Sequence, residues 1–552
     1  MRNILKIMLV ASALTAGGCT NLDENAYDII VADQFYENKN EVLSAVLRPY
    51  THANAWVSPS GQDGWWRPAE LTADQLAWPT KGRHGEDNGK WKRFHYHTWN
   101  VDEGNMNQAW VLMYWGIGLC NSPISILESK DVASMGITEK EKNEFIAELK
   151  LLRAFHYLKL MDLFGSLPIT ITAPATNNEP IPEQTPQKEV FAFIEKEILE
   201  NIEKAPKLSR GMMGRMSQAG GYAMLVELYL NAEKWSGTAR WDDCIKAADK
   251  LISGTAGGQN GGMVLEPNIV DSYSPTNDKS TEVIFSVAYD YQTADFATGF
   301  PSEFYHFVQR EIYGGGRTGN NGIVMIPGVY TTFKDTDMRK KEWFLAGPMV
   351  KFSDGKSPVL GSEEYKDKPL VFVDYIRRES EGKTSSTMSD GEENSGIRFN
   401  KYKLGNSLTG VVNGETVAPN PEYNNTDWNI YRLSWIYFAK AEALMRKSGG
   451  AANAEAVELV NTVKKRAFKA ADWEKEKYTT STLTLDELLA ERGREFIFEG
   501  FRRRDLIRFG KFHTASWWDH KPSQEYRTLF PIPQQQISMN PNLKQNPGYP
   551  GG

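Results

Sequence analysis

Cysteine is almost absent from this chain, with three residues among 552, at positions 19, 120 and 244. So few thiols exclude a fold that is held together by several disulfides. Cys120 and Cys244 each lie within an apolar helical pattern. We therefore expect two buried structural thiols, with a single bridge between them as the alternative.

Blocks of basic residues are also missing, and the formal net charge is −7. This charge balance argues against nucleic acid as a partner. No long apolar run follows residue 19, so we expect no later segment to enter a membrane. Hydrophobic residues make up 41% of the chain, which is enough for a large core. The length exceeds that of a usual single domain and predicts several subdomains or a repeat architecture.

Common catalytic motifs are missing as well, since neither G-x-S-x-G nor H-E-x-x-H occurs. Glu491, Glu495 and Glu499 recur at helical spacing, and a glycosidase needs two carboxylates across a cleft. Arginines surround these carboxylates in sequence, which favours a structural ion-pair network instead. We predict that the protein is not an enzyme.

A metal site has little support in the sequence. His95 and His97 alternate with Tyr96, as in a strand, and both could face a metal ion. No third ligand follows at a recognisable spacing. We predict no metal site and no cofactor, with a structural Ca²⁺ among loop carboxylates as an alternative that no motif supports.

The N-terminus carries a recognisable export pattern. Arg2 and Lys6 precede an apolar run from residue 7 to 16, and small residues then lead to Cys19. This order is typical of a signal peptide, and its end resembles a bacterial lipobox. We predict a signal peptide at 1–18 and lipidation of Cys19, which would anchor the mature chain in a membrane.

Helical periodicity dominates the rest of the chain. The predicted helices cover residues 41–53, 105–128, 138–161, 185–204, 216–232, 241–252, 427–447, 453–470 and 484–499. Paired helices of this length suggest a mainly α, tetratricopeptide-like scaffold. Residues 254–425 are rich in Gly, Asn, Ser, Thr and Pro and predict a loop-rich insertion with minor β-structure, such as a strand at 282–289.

Five segments resemble one protein family, the SusD/RagB outer-membrane lipoproteins. They occur in the family's order and are AWVLMYWGIGLCNSPISIL at 109–127, AELKLLRAFHYLKLMDLFGSLPI at 147–169, YRLSWIYFAKAEAL at 431–444, LLAERGREFIFEGFRRRDLIRFGKF at 488–512 and FPIPQQQISMNPNLKQNPGY at 530–549. The resemblance implies a SusD-like helical fold. It also implies a lipid-anchored protein of the outer membrane, facing the cell exterior, that captures oligosaccharides and passes them to a SusC-like TonB-dependent barrel.

The resemblance also divides the chain. It implies an N-terminal helical region at 19–253, a ligand-binding insertion at 254–425 and a C-terminal helical region at 426–552. Peptide capture by the same fold, as in RagB-like members, and a surface glycosidase are the alternative functions.

Tryptophan placement suggests where a sugar would bind. Eight of the 16 tryptophans lie between residues 56 and 115, several of them in a polar, Gly-rich segment that reads as a surface loop. Flat aromatic rings stack on sugars, and flanking polar groups bind their hydroxyls. The first candidate is Trp78, beside Asp74 and Gln75, followed by Trp65, Trp66 and Trp91. The alternative is that these rings cap the scaffold or pack on the partner barrel.

The resemblance also implies that the insertion contributes to the sugar platform. The candidate aromatic residues there are Phe304, Tyr289, Tyr291, Tyr305 and Tyr313, and the candidate polar partners are Arg317, Asn320 and Asn321.

Overall fold

The computed structural model describes residues 35–59, 63–173, 180–259, 261–289, 304–313, 319–402, 411–412, 415–416 and 426–552. The predicted signal peptide and Cys19 lie outside these residues. The fold is mainly helical, as the sequence predicts.

Among the described residues, most helices lie before residue 253 or after residue 432. They are α1 Lys39–Val57, α2 Trp66–Leu71, α3 Lys90–His95, α4 Gly104–Ser129, α5 Glu139–Phe164, α6 Gln187–Asn201, α7 Gln218–Leu230, α8 Ala232–Ser236, α9 Trp241–Ile252, α10 Gln309–Tyr313, α11 Met338–Glu342, α12 Leu433–Lys447, α13 Ala454–Lys464, α14 Ala470–Glu476, α15 Leu485–Glu495, α16 Arg502–Arg508 and α17 Gln534–Met539. The long helices pack on one another in sequence, α4 on α5, α5 on α6, α7 on α9 and α12 on α13. Helix α9 also packs on α12 and so joins the two helical blocks.

Local sequence signals set several helix starts. Thr138 and Glu141 form a capping box at the start of α5, and Thr484 accepts a hydrogen bond from the Glu487 N–H at the start of α15. Both helices begin where the sequence analysis predicts them. The helix predicted from residue 185 begins slightly later, because Pro186 occupies the capping position of α6. Proline offers no side-chain acceptor there, so this start has no side-chain cap.

The apolar helix α4 corrects the expectation that no long apolar run follows residue 19. It is long and apolar enough to cross a membrane by length and composition, and half of its most apolar window is buried inside the protein. It packs against α1 and α5, so its composition is that of a core helix. Cys120 on α4 and Cys244 on α9 are buried and unpaired, as expected.

The strands are short. They are β1 Leu76–Ala77, β2 Leu167–Pro168, β3 Gln184–Thr185, β4 Val283–Val287, β5 Val324–Met325, β6 Phe344–Leu345, β7 Gly347–Pro348, β8 Val371–Phe372, β9 Arg398–Phe399, β10 Val411–Val412, β11 Glu415–Thr416 and β12 Trp428–Arg432. They form antiparallel pairs, β1 with β5, β2 with β3, β4 with β12, β6 with β9, β7 with β8 and β10 with β11.

The pair of β4 and β12 confirms one predicted strand and corrects the start of one predicted helix. The predicted strand at 282–289 appears as β4. The predicted helix at 427–447 is wrong in its first part, because β12 precedes α12 and pairs with β4. Every residue of β12 is buried, and burial on both faces removes the polar–apolar alternation by which a strand is recognised in sequence.

The predicted ion-pair network is confirmed. Glu491 and Glu495 accept hydrogen bonds from the Arg339 guanidinium at 2.7 and 3.0 Å. Arg432 binds Glu499 at 2.8 Å, and all of these side chains are buried. The helix predicted at 484–499 ends earlier than expected, at Glu495, so Glu499 joins the network from the following turn rather than from one helical face.

Removal of one cation from this network should be costly. Arg339→Met removes a buried cation that Asp337, Glu491 and Glu495 share, so we expect the free energy of unfolding to fall by about 3–5 kcal/mol. Urea unfolding followed by circular dichroism measures this loss. Arg48→Met, an exposed arginine on α1, is the matched control and should change stability little. Equal midpoints for the two variants would contradict a stabilising role for the network.

Candidate functional site

The tryptophan segment, defined as residues 63–99, is not the surface loop that the sequence predicts. It contains α2, β1 and α3, and most of its residues are buried. Its glycines and polar residues concentrate at 82–90, a turn-rich stretch between β1 and α3. There Asp87 and Asn88 adopt positive φ values of 43° and 53°.

The rings of Trp65 and Trp66 face the protein interior. The Trp65 indole N–H donates to Asp162 at 2.9 Å, and the Lys159 ammonium lies 4.4 Å from its ring centroid. The Trp66 indole N–H donates to the backbone oxygen of Phe498 at 3.0 Å. These contacts explain why both rings are buried.

Trp78 and Trp91 cover each other. Their rings stack with centroids 4.7 Å apart and planes 4° from parallel. The Arg67 guanidinium lies over both rings, and the Trp91 indole N–H donates to Asp87 at 2.5 Å. Trp78 is 7% exposed. Sugar stacking on these four tryptophans stays a prediction, and it requires a covered ring face to open.

The polar candidates beside Trp78 have protein partners. Asp74 receives two hydrogen bonds from Arg502, at 2.6 and 2.8 Å, which tie the tryptophan segment to α16. The Gln75 side-chain amide donates to the backbone oxygen of Gly493 at 2.8 Å.

The candidates in the insertion differ in how far they are buried. Tyr289 and Tyr305 are buried, and their hydroxyls donate to Asn54 and to the backbone oxygen of Tyr402. Phe304 packs edge-on against Trp66 in the core, Tyr313 is half-buried and Asn321 is buried. Asn320 is exposed. Tyr291 and Arg317 lie outside the described residues.

A partly exposed group of side chains lies beside these buried aromatics. We call it the rim cluster, and it consists of Arg83, His84, Phe307 and Glu363. The rings of His84 and Phe307 are 4.7 Å apart. The Arg83 guanidinium binds the Glu363 carboxylate at 3.2 Å, and the His84 imidazole lies 3.6 Å from the same oxygen.

The rim cluster combines a partly exposed aromatic ring with a cation, an imidazole and a carboxylate. The side chain of Arg83 is 78% exposed, so this cluster has free hydrogen-bonding capacity toward solvent. Sequence reasoning missed it. Arg83 and His84 lie within the tryptophan segment, between Gly82 and Gly85, but Phe307 and Glu363 join them only through the fold.

The two candidate metal-binding histidines have other roles. His95 binds Asp519 at 2.6 Å, whereas the two nitrogens of His97 bind Ser523 and the backbone oxygen of Thr72. Burial holds the pKa of His97 well below its ordinary value, so its ring is neutral. Within the described ranges, no group of three or more His, Cys, Asp or Glu residues could hold a metal ion.

Sequence profiles of known families cover nearly the whole chain. The profile of the SusD family matches residues 231–549. The chain belongs to the SusD family. A second profile, described as starch-binding associating with outer membrane, matches residues 38–230. The resemblance found in the sequence is thereby confirmed.

Two curated relatives show how far the similarity extends. The starch-binding protein SusD of Bacteroides thetaiotaomicron is 25% identical over 443 residues, which cover 75% of this chain and 74% of that protein. The SusD-like protein P2 of Formosa agariphila is also 25% identical, over 99% of both chains.

Solved structures share the fold. A laminarin-binding SusD-like protein superposes with a TM-score of 0.68 at 20% identity, and the match covers 93% of this chain and 100% of that one. Surface glycan-binding protein A from Bacteroides thetaiotaomicron, in complex with laminarihexaose, gives a TM-score of 0.67 at 20% identity, over 92% of this chain and 99% of that one.

The burial of Glu70 on α2 makes the stability of the protein depend on pH. Its carboxyl is fully buried and accepts one hydrogen bond from the Gly500 N–H. Burial raises the pKa of Glu70 to about 8. The folded state therefore keeps this proton at pH values where the unfolded chain has lost it, so stability falls as the pH rises from about 4.5 to about 8.

Glu70→Gln should remove this dependence, because an amide imitates the protonated acid. Relative to the unchanged protein, we expect the variant to gain roughly 2–4 kcal/mol of stability between pH 5 and pH 8. Urea unfolding at both pH values measures this gain. Glu200→Gln, at a side chain that is 59% exposed, is the control and should show no such gain. Parallel pH profiles for Glu70→Gln and the unchanged protein would contradict a buried, protonated Glu70.

Proposed function

We propose that this protein is a surface-exposed lipoprotein that captures oligosaccharides and delivers them to a SusC-like TonB-dependent barrel of the outer membrane. Membership of the SusD family carries this proposal. One relative, aligned over 74% of its length, is named for starch binding, and structures of the same fold are named for laminarin and glycan binding. The protein performs no chemistry on its ligand.

The rim cluster is the surface that we assign to sugar contact. A sugar ring presents a C–H face that can lie on Phe307, while its hydroxyls can bond to Arg83 and Glu363. Asn320 is a further exposed polar residue of the insertion. The stacked pair of Trp78 and Trp91 supports this surface from below, because Gly85 in the same turn lies against the Trp78 indole.

Capture is tested by affinity gel electrophoresis of the chain without residues 1–19 against plant, host and microbial polysaccharides. We expect retardation by one or two of them, with affinities in the micromolar to millimolar range, about −8 to −4 kcal/mol. If the protein co-purifies with peptides and no polysaccharide retards it, peptide capture is favoured. Release of reducing sugar from a polysaccharide by the pure protein would establish a glycosidase. Either result would overturn the proposal.

Phe307→Ala should weaken retention by the identified polysaccharide about tenfold, because about 1.4 kcal/mol of ring contact is lost. The matched control is Trp115→Ala, which removes an aromatic ring that is 53% exposed on α4. Thermal unfolding of both variants establishes that they are folded. If Phe307→Ala binds as well as the control, the rim cluster is not the sugar surface.

Lipidation of Cys19 anchors the protein to the outer membrane. Cys19→Ser should move it from the membrane fraction to the soluble fraction, because no acyl chain then holds it. When the anchored protein is extracted from membranes in mild detergent and purified, we expect a TonB-dependent barrel to co-purify with it. A membrane-bound Cys19→Ser variant would contradict the anchor, and purification without a barrel would contradict the delivery step.

A further inference from the structure

Two buried cations of the insertion region lack the carboxylate partners that other buried cations have. Lys81 is 2% exposed and Arg398 is fully buried. In the ion-pair network, by contrast, Arg339 and Arg432 each bind several carboxylates. Among the described residues, no salt bridge joins Lys81 or Arg398 to an acid.

Hydrogen bonds place these two cations in one group. The Lys81 ammonium donates to the backbone oxygens of Asn321 and Gly322, at 2.5 and 2.7 Å. The side-chain amide of Asn321 donates to the backbone oxygen of Glu393, and the Arg398 guanidinium donates to the same oxygen at 2.7 Å. Asn321 therefore connects the two positive charges.

The nearby carboxylate of Glu393 is already satisfied. Its oxygens accept hydrogen bonds from the backbone N–H groups of residues 362, 363 and 365, and the His306 imidazole lies at 3.2 Å. Burial opposes its charge, yet the bonds from His306 and from the backbone bring the pKa of Glu393 to about 2. Glu393 is thus a stable anion whose oxygens are taken by other groups. A second carboxylate, that of Glu364, accepts a hydrogen bond from the Glu393 N–H at 3.0 Å, and among the described residues neither acid forms a salt bridge with Lys81 or Arg398.

Unused donors remain in this group. Within the described part of the chain, the Nε and Nη1 atoms of Arg398 have no hydrogen-bond partner, although both are buried. Lys81 has three N–H donors and uses two of them here. An unpaired buried charge is among the most costly features a fold can contain.

We propose that a small monovalent anion, such as a halide, binds between the Lys81 ammonium and one of the unpaired N–H groups of Arg398. Arginine keeps its proton in proteins, so Arg398 stays charged with two buried nitrogens unpaired. A neutral Lys81 is the alternative way to lower the cost of burying this group. Burial and the Arg398 charge hold the pKa of Lys81 well below its ordinary value, which is consistent with a site that an anion completes. The burial of both side chains selects a small ion from solution rather than a substituent on a sugar.

Bromide-soaked crystals of the full mature chain test the site directly. We expect an anomalous peak in contact with Lys81 and Arg398. Its absence at high bromide concentration would overturn the proposal and leave a neutral Lys81 as the way in which the cost of burial is lowered.

Thermal unfolding gives an independent measurement that needs no crystal. At constant ionic strength, exchange of gluconate for chloride should raise Tm by about 2–4 °C and then saturate, as expected for an ion that binds only the folded state. Lys81→Met should lose this rise, whereas Lys341→Met, at an exposed lysine, should keep it. The same Tm in both salts would overturn the proposal, and should Lys81→Met fail to fold, the bromide peak in the unchanged protein still decides.

Discussion

The buried row of carboxylates at Glu491, Glu495 and Glu499 is the constraint on which the rest of the structure depends. Arg339 reaches it from the insertion, and Arg432 reaches it from the end of β12. Both guanidinium groups are buried. A buried charge is tolerated only when its partners are held in place, so each ion pair fixes the position of the segment that supplies it. The network therefore joins the loop-rich insertion to the C-terminal helices more firmly than its short strands could.

The parts of the fold that the sequence predicts correctly are those in which the signal is local. The capping residues Thr138 and Thr484 lie three residues from their partners, and the arginines that neutralise Glu491 and Glu495 were expected from sequence proximity. Even so, part of the neutralising charge comes from Arg339, more than a hundred residues away. Local reasoning identifies the kind of interaction and one of its residues, Arg494, which binds Glu491 at 2.7 Å, but not Arg339 or Arg432.

The tryptophan segment shows why the site was harder to predict. Its polar and glycine residues imply a loop, and they do form turns, but the indole rings between them point into the core. Trp66 packs against Phe304 and Trp428, which are separated from it by more than two hundred residues. No periodicity within the segment contains that information, so a buried aromatic cluster and a surface binding platform have the same appearance in the sequence.

Because these large rings are buried, the side chains at the surface of this region are less conspicuous ones, those of the rim cluster. The backbone explains how the rim cluster is positioned. Lys81 and His84 exchange two hydrogen bonds of 2.8 Å, so one tight turn carries a side chain that points inward and one that belongs to the rim cluster. Across from it, His306 is buried beside Glu393, while the adjacent Phe307 contacts His84. The exposed and buried groups thus alternate along the same two pieces of backbone. An ion that stabilises Lys81 and its neighbours would therefore also hold the two turns that present the rim cluster, and so preserve the spacing of Phe307 and His84.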